Sequence, residues 1–97
     1  MKVLWTKNAK IQLLSVEEFI ANDNPSGAID FTDEIINLAE TLAEYPEKGR
    51  VVPELSHSNI RELLYKKYRI VYLIKKDRIE ILTLFEGHRL LKSEDIL

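Results

Sequence analysis

The segment from Ile60 to Phe85, IRELLYKKYRIVYLIKKDRIEILTLF, constrains this chain more than any other. Apolar runs rich in Ile, Val, Tyr and Leu are broken at Tyr65-Lys66-Lys67 and at Lys75-Lys76-Asp77-Arg78, which reads as a β-meander with charged turns. Side chains alternate along a strand, so Tyr68, Ile70, Tyr72 and Ile74 share one face of the middle run, and Arg69, Val71 and Leu73 share the other. Both faces are largely apolar and both need cover. Helices elsewhere in the chain supply cover for one. The other must be a groove, an interface or a second core, and Arg69 lies on that side.

The preceding half supplies the helices. Lys2 to Thr6 reads as a short strand with Val3 and Trp5 on one side, and Trp5 is expected in the core. From Lys7 to Ala21 the residues Ala9, Leu13, Val16 and Ile20 recur at helical spacing, with Thr6 placed to cap the start. A turn at Asn22-Asp23-Asn24 leads into a second helix with Asn24 as N-cap and Pro25 at its first position. Its stripe is Ala28, Phe31, Ile35, Leu38, Leu42 and Tyr45, and Pro46 ends it. So short a connection predicts an antiparallel helical hairpin. The fourteen residues from Pro46 to Asn59 have no period, and loops of that length in a small domain are often functional. There Gly49 suggests a tight turn presenting Arg50, and Pro53 keeps Val51 and Val52 extended. The expected fold is α+β: a short N-terminal strand, an antiparallel two-helix hairpin, then an antiparallel three-strand meander, forming one twisted sheet. A single domain over residues 1–97 is expected.

Composition narrows the function. With no cysteine there is neither a disulfide framework nor a thiolate site. No signal peptide or membrane span is visible, so the expected location is cytoplasmic with no membrane partner. The net charge of −2 hides an asymmetry: residues 1–49 carry 4 Lys and Arg against 9 Asp and Glu, whereas residues 50–97 carry 10 against 7. The cations gather on the strand half, either as ordinary solvated charge or as a basic sheet surface facing phosphates or an acidic protein.

The residues able to carry chemistry are Arg50, His57, Arg61, Tyr68, Arg69, His88 and Arg89. Arg61, Arg69 and Arg89 lie on or just after strands expected to be neighbours, so their guanidinium groups can converge on one flank of the sheet and bind phosphate oxygens. In an RNA-cleaving site such cations stabilise charge on the scissile phosphate, with His88 or Tyr68 as proton donor. The alternative is that each arginine is salt-bridged, since Glu62, Glu80 and Glu86 lie close in sequence. Two histidines without an i, i+3 or i, i+4 partner do not make a metal site, and no Gly-rich phosphate loop occurs, so neither metal nor cofactor is expected.

The element order, with Asp23-Asn24-Pro25, the stretch Pro46-Glu47-Lys48-Gly49-Arg50-Val51-Val52-Pro53-Glu54, Ile60-Arg61-Glu62-Leu63, Tyr68-Arg69-Ile70-Val71-Tyr72 and Gly87-His88-Arg89, resembles the RelE/ParE family of toxins from bacterial type II toxin-antitoxin systems. The resemblance spans nearly the whole chain. It implies a cognate antitoxin partner in a toxin-antitoxin hetero-oligomer, and one of two targets. RelE-type members cleave messenger RNA on the ribosome, and ParE-type members poison DNA gyrase. By resemblance, Tyr68-Arg69 and Arg89 stand where the nucleases keep catalytic arginines, and His88 joins Arg69 and Arg89 as a catalytic residue only if the nuclease reading holds. Glu62, however, stands where those enzymes tend to have a lysine, and Asp95 where a catalytic tyrosine is expected. A carboxylate near a phosphate raises the barrier. These departures, and the Asn-Pro and Gly-Arg-x-x-Pro-Glu stretches, favour the ParE branch, with Arg50, Arg61, Tyr68, Arg69 and Arg89 contacting target or antitoxin. The alternatives are a ribosome-dependent nuclease and an inactive toxin-like binding module.

Overall fold

The computed structural model describes residues 1–87 and Leu91. The elements run β1 (Lys2–Trp5), α1 (Lys7–Ala21), α2 (Pro25–Glu40), a 3-10 turn at Thr41–Ala43, β2 (Arg50–Val51), β3 (Ile60–Tyr65), β4 (Tyr68–Ile74) and β5 (Arg78–Glu86). Both helices start where capping chemistry directs. Thr6 Oγ1 accepts from the Ala9 N–H at 3.1 Å, and Asn24 Oδ1 accepts from the Gly27 N–H at 3.0 Å with Pro25 following. The α2 stripe turns inward as expected through Ala28, Phe31, Ile35 and Leu42. Tyr45 does not join it and is exposed, because regular helix ends at Glu40 and the 3-10 turn breaks the register ahead of Pro46.

The meander forms as the sequence implies, and two short strands extend it into a mixed five-stranded sheet ordered β1-β5-β4-β3-β2. β1 joins parallel to β5, while Arg50 and Val51 pair antiparallel with Glu62 and Arg61. Along β5 the register slips: Val71 faces Thr83 but Tyr72 faces Ile81, leaving Leu82 as an extra residue, a β-bulge. The Leu82 carbonyl accepts from Thr6 Oγ1 and Asn8 Nδ2, both at 3.2 Å, which ties the start of α1 to the bulge.

Helices cover one face of the sheet. Phe31, Ile35 and Leu42 pack there against Leu63, Ile70, Tyr72, Ile79, Ile81 and Leu84, with Val3 and Trp5 at the margin. The opposite face is a second, smaller core of Val52, Val71, Phe85 and Leu91, flanked by Leu55, Ile60 and Leu82. Of the three options open for that face, a packed core is the one observed. No helix among the described residues is long and apolar enough to cross a membrane.

Candidate functional site

The second core encloses charge. Glu62 is 1% exposed and Arg69 5%. Hairpin register sets Leu64 opposite Arg69 and Glu62 opposite Val71, so Glu62 and Arg69 lie diagonally on one face. Arg69 Nε donates to Glu62 Oε1 at 2.6 Å. Its Nη1 and Nη2 donate to the two carboxylate oxygens of Glu54, each at 2.8 Å. Arg50 Nε donates to Glu62 Oε2 at 2.6 Å, and the Arg69 guanidinium stacks 5.2 Å from the Phe85 ring centroid. Glu54 Oε2 also accepts from the Leu91 N–H at 2.9 Å.

A charge can be buried here only because it is paired and hydrogen-bonded. The hydrogen bonds from Arg69 hold the Glu54 carboxyl at about 2, far below its usual 4.5, against the opposing effect of burial. Reciprocally, Glu54 first and Glu62 second raise the affinity of Arg69 for its proton. Glu54 and Glu62 thus occupy the guanidinium edges that a phosphate would need.

Among the described residues, those singled out in the sequence do not gather on one flank. Arg50 and Arg69 share the second face through Glu62, but Arg61 pairs with Tyr72 in the ladder and so projects to the other side. There Arg61 Nη1 donates to the Gly49 carbonyl at 2.9 Å and Nε to the Ser58 carbonyl at 3.2 Å. The expected convergence of Arg61 with Arg69 is corrected by strand parity, since they occupy opposite faces. Tyr68 is buried edge-on against Phe31, with ring centroids 5.1 Å apart. His57 is exposed in the loop, its Nδ1 accepting from the Asn59 N–H. His88, Arg89 and Asp95 lie outside the described residues. No group of metal-ligating side chains occurs among the described residues.

Gly49 also needs a different account. Its φ is not positive, so no left-handed turn requires a glycine. A Cβ there would lie 2.5 Å from the Glu62 carbonyl oxygen and 2.8 Å from the Tyr72 ring, so close approach is what excludes a side chain. The Tyr72 hydroxyl accepts from the Gly49 N–H at 2.9 Å and donates to the Pro46 carbonyl at 2.7 Å. Burial raises the pKa of that hydroxyl.

Sequence reasoning passed over Glu54 as a member of the site, and took Glu62 both as a possible ion-pair partner for the arginines and as a departure from a nuclease pattern. The two-residue break at Lys66-Lys67 was the usable signal for Glu62, because it fixes the hairpin register and with it the diagonal to Arg69. Glu54 sits in an irregular loop, where no periodicity points to a partner.

An apolar groove opens on the helical side, beside the free edge of β1. Val3, Leu4, Trp5, Leu13, Leu14 and Ile36 line it, with Lys10, Glu17 and Glu40 at its rim, and it encloses about 680 Å³. Leu4, Leu14 and Ile36 are exposed, so the groove presents apolar side chains to solvent beside an edge strand whose outer side has no strand neighbour among the described residues.

Residues 3–91 match the family model described as ParE toxin of type II toxin-antitoxin system, parDE. This chain belongs to the ParE toxin family. It is 30% identical over 90 residues to Toxin RelE2 of Caulobacter vibrioides, covering 92% of this chain and 98% of the relative. It is 34% identical over 90 residues to Putative toxin Y4kP of Sinorhizobium fredii, covering 91% and 90%. Its fold matches a chain of the chromosomal ParDE TA system from P. aeruginosa with a TM-score of 0.75 at 19% identity, covering 89% of this chain and 95% of that one. The α+β architecture read from the sequence is therefore the architecture of a known ParDE component.

Proposed function

We propose that this ParE-family toxin acts by inhibiting DNA gyrase and is neutralised by a cognate antitoxin. The observation that carries the target reading is the pairing of Arg69 with Glu54 and Glu62, and of Arg50 with Glu62. A nuclease centre needs cations directed at the phosphate as charge builds on it. Here the guanidinium at the resembled catalytic position is turned inward and bidentate on a carboxylate. A target contacted as a protein surface places no such demand on Arg69. Purified protein is expected to inhibit gyrase supercoiling in vitro. Normal supercoiling accompanied by cleavage of ribosome-bound messenger RNA would overturn this reading.

That second outcome has one observation in its favour, the relative named RelE2 at 30% identity. Normal growth on expression without the antitoxin would favour the inactive binding module. For the antitoxin, the groove beside β1 supports an amphipathic segment, with apolar side chains on Leu13, Leu14 and Ile36 and backbone groups able to pair with the β1 edge. The mixed charges at the rim do not call for a strongly acidic segment. Co-purification of the antitoxin should be lost in Ile36→Asp, and its retention would remove the groove from the interface.

A further inference from the structure

α1 carries exposed apolar side chains on two opposed flanks. At about 100° per residue, Lys10, Leu13, Leu14 and Glu17 run along one flank while Gln12, Val16 and Phe19 run along the other. The first lines the groove beside β1. On the second, Phe19 is 66% exposed, the most exposed large apolar side chain among the described residues. It separates two hollows, one walled by Val16, Leu84 and Glu86, the other by Phe31, Lys66 and Lys67, with Tyr68 common to both. Lys66 Nζ lies 5.4 Å from the Tyr65 ring centroid and Lys67 Nζ 5.8 Å from that of Tyr68, so both ammonium groups rim an aromatic cluster. Lys66 also has a φ of 52°, a left-handed conformation that glycine adopts at lower cost. The two-residue turn between β3 and β4 calls for that conformation, and it sets the lysine at the tip of the hairpin.

We propose that Phe19, Lys66 and Lys67 form a second docking surface, separate from the groove, that receives an acidic protein segment bearing an apolar side chain and is the face offered to the target. This rests on the gyrase reading above. Charge complementarity selects the occupant: the hollow beside the lysines has no carboxylate among its described lining residues. Two lysines on a chain of net charge −2 make a poor track for a phosphate backbone. A two-fold contact with a second copy centred here would set the lysines of both copies against each other. The groove and this surface share no lining residue, so substitutions in one can be read separately from substitutions in the other.

The test uses Phe19→Ser and Lys66→Glu/Lys67→Glu, with Ile29→Ser as an exposed control outside both surfaces. All are purified with the antitoxin, released from it and titrated into a gyrase supercoiling assay. Each surface variant is expected to need about ten-fold more protein for half inhibition, the loss of one anchoring contact. Antitoxin co-purification and thermal melting should stay at the level of the unaltered protein and of Ile29→Ser. If the unaltered protein inhibits and the surface variants inhibit equally well, this inference is overturned and the gyrase reading stands. If the unaltered protein does not inhibit, both fall together. If Phe19→Ser turns a concentration-dependent dimer into a monomer without changing inhibition, the face belongs to a second copy and the inference is again overturned.

Discussion

Glu62 and Arg69 form a pair in which either side chain alone is a liability. Removing Glu62 leaves the Arg69 guanidinium, 5% exposed, with only Glu54 of these two carboxylates. Removing Arg69 leaves the Glu62 carboxylate, 1% exposed, with only Arg50 of these two cations, and takes from Glu54 its bidentate partner. Breaking a buried pair from one side costs roughly 3 to 5 kcal/mol, whereas replacing both members by apolar groups of similar volume is often close to neutral. Urea unfolding should therefore show Glu62→Ala strongly destabilised, and a variant that replaces the three coupled groups together, Glu54→Gln/Glu62→Met/Arg69→Met, much less so, because Glu54 also loses its partner with Arg69. Arg50→Ala should cost about 1 to 3 kcal/mol, because its own side chain is 56% exposed but the Glu62 oxygen it leaves without that donor is buried. The same reasoning bears on toxicity assays: a loss of toxicity in Arg69→Ala is not evidence of catalysis unless the variant is shown to be folded. Glu54 adds a pH dependence. Its folded pKa of about 2 lies below the usual 4.5, so its contribution is fully present above about 4.5 and is lost as pH falls through 2. Unfolding midpoints followed across that window should fall less steeply in Glu54→Gln than in the unaltered protein, and equal slopes would place the acid sensitivity elsewhere.

Local chemistry made some elements readable in the sequence and not others. The two helix starts and the three meander strands were visible because an N-cap, a proline and strict alternation each act within a few residues. The parallel pairing of β1 with β5 was not, since its partners are about 76 positions apart and no local pattern encodes them. β2 was missed because two residues are too few to show a period. Among the site residues, the sharing of Glu62 between Arg50 and Arg69 follows from register, and the projection of Arg61 to the opposite face follows from parity. Gly49 shows the limit of reading single residues, because its reason for being glycine is the Tyr72 ring 23 positions away. Gly49→Ala must push the loop off Tyr72 or displace β3, at a cost of about 1 to 3 kcal/mol. Tyr72→Phe should cost about as much by leaving the buried Gly49 N–H unpartnered. Thermal melts of the two single variants and of their combination decide the matter. Because both act on one contact, the double variant should lose less than the two single losses added together.

At the scale of the molecule, the sheet separates two cores of unequal size. The helical core is fed by α1, α2 and all the longer strands, whereas the second holds Val52, Val71, Phe85 and Leu91 around the Arg69 network. Two parts of the chain close that smaller core from outside: the loop after β2 through Val52, Glu54 and Leu55, and Leu91. They meet at Glu54, which accepts from Arg69 and from the Leu91 N–H at once, so the loop and Leu91 are held by a common carboxylate. Truncating Leu91 to Ala removes a 3% exposed side chain and should cost about 2 to 5 kcal/mol if the cavity stays open. The loss should be local before it is global. Hydrogen exchange is then expected to quicken first at amides of Val52, Leu55 and Ile60, while those of Ile35, Ile70 and Ile81 keep their protection. Uniform quickening in both sets would show that the two cores open as a single unit, and the charged network would then be supporting the whole sheet rather than one face of it.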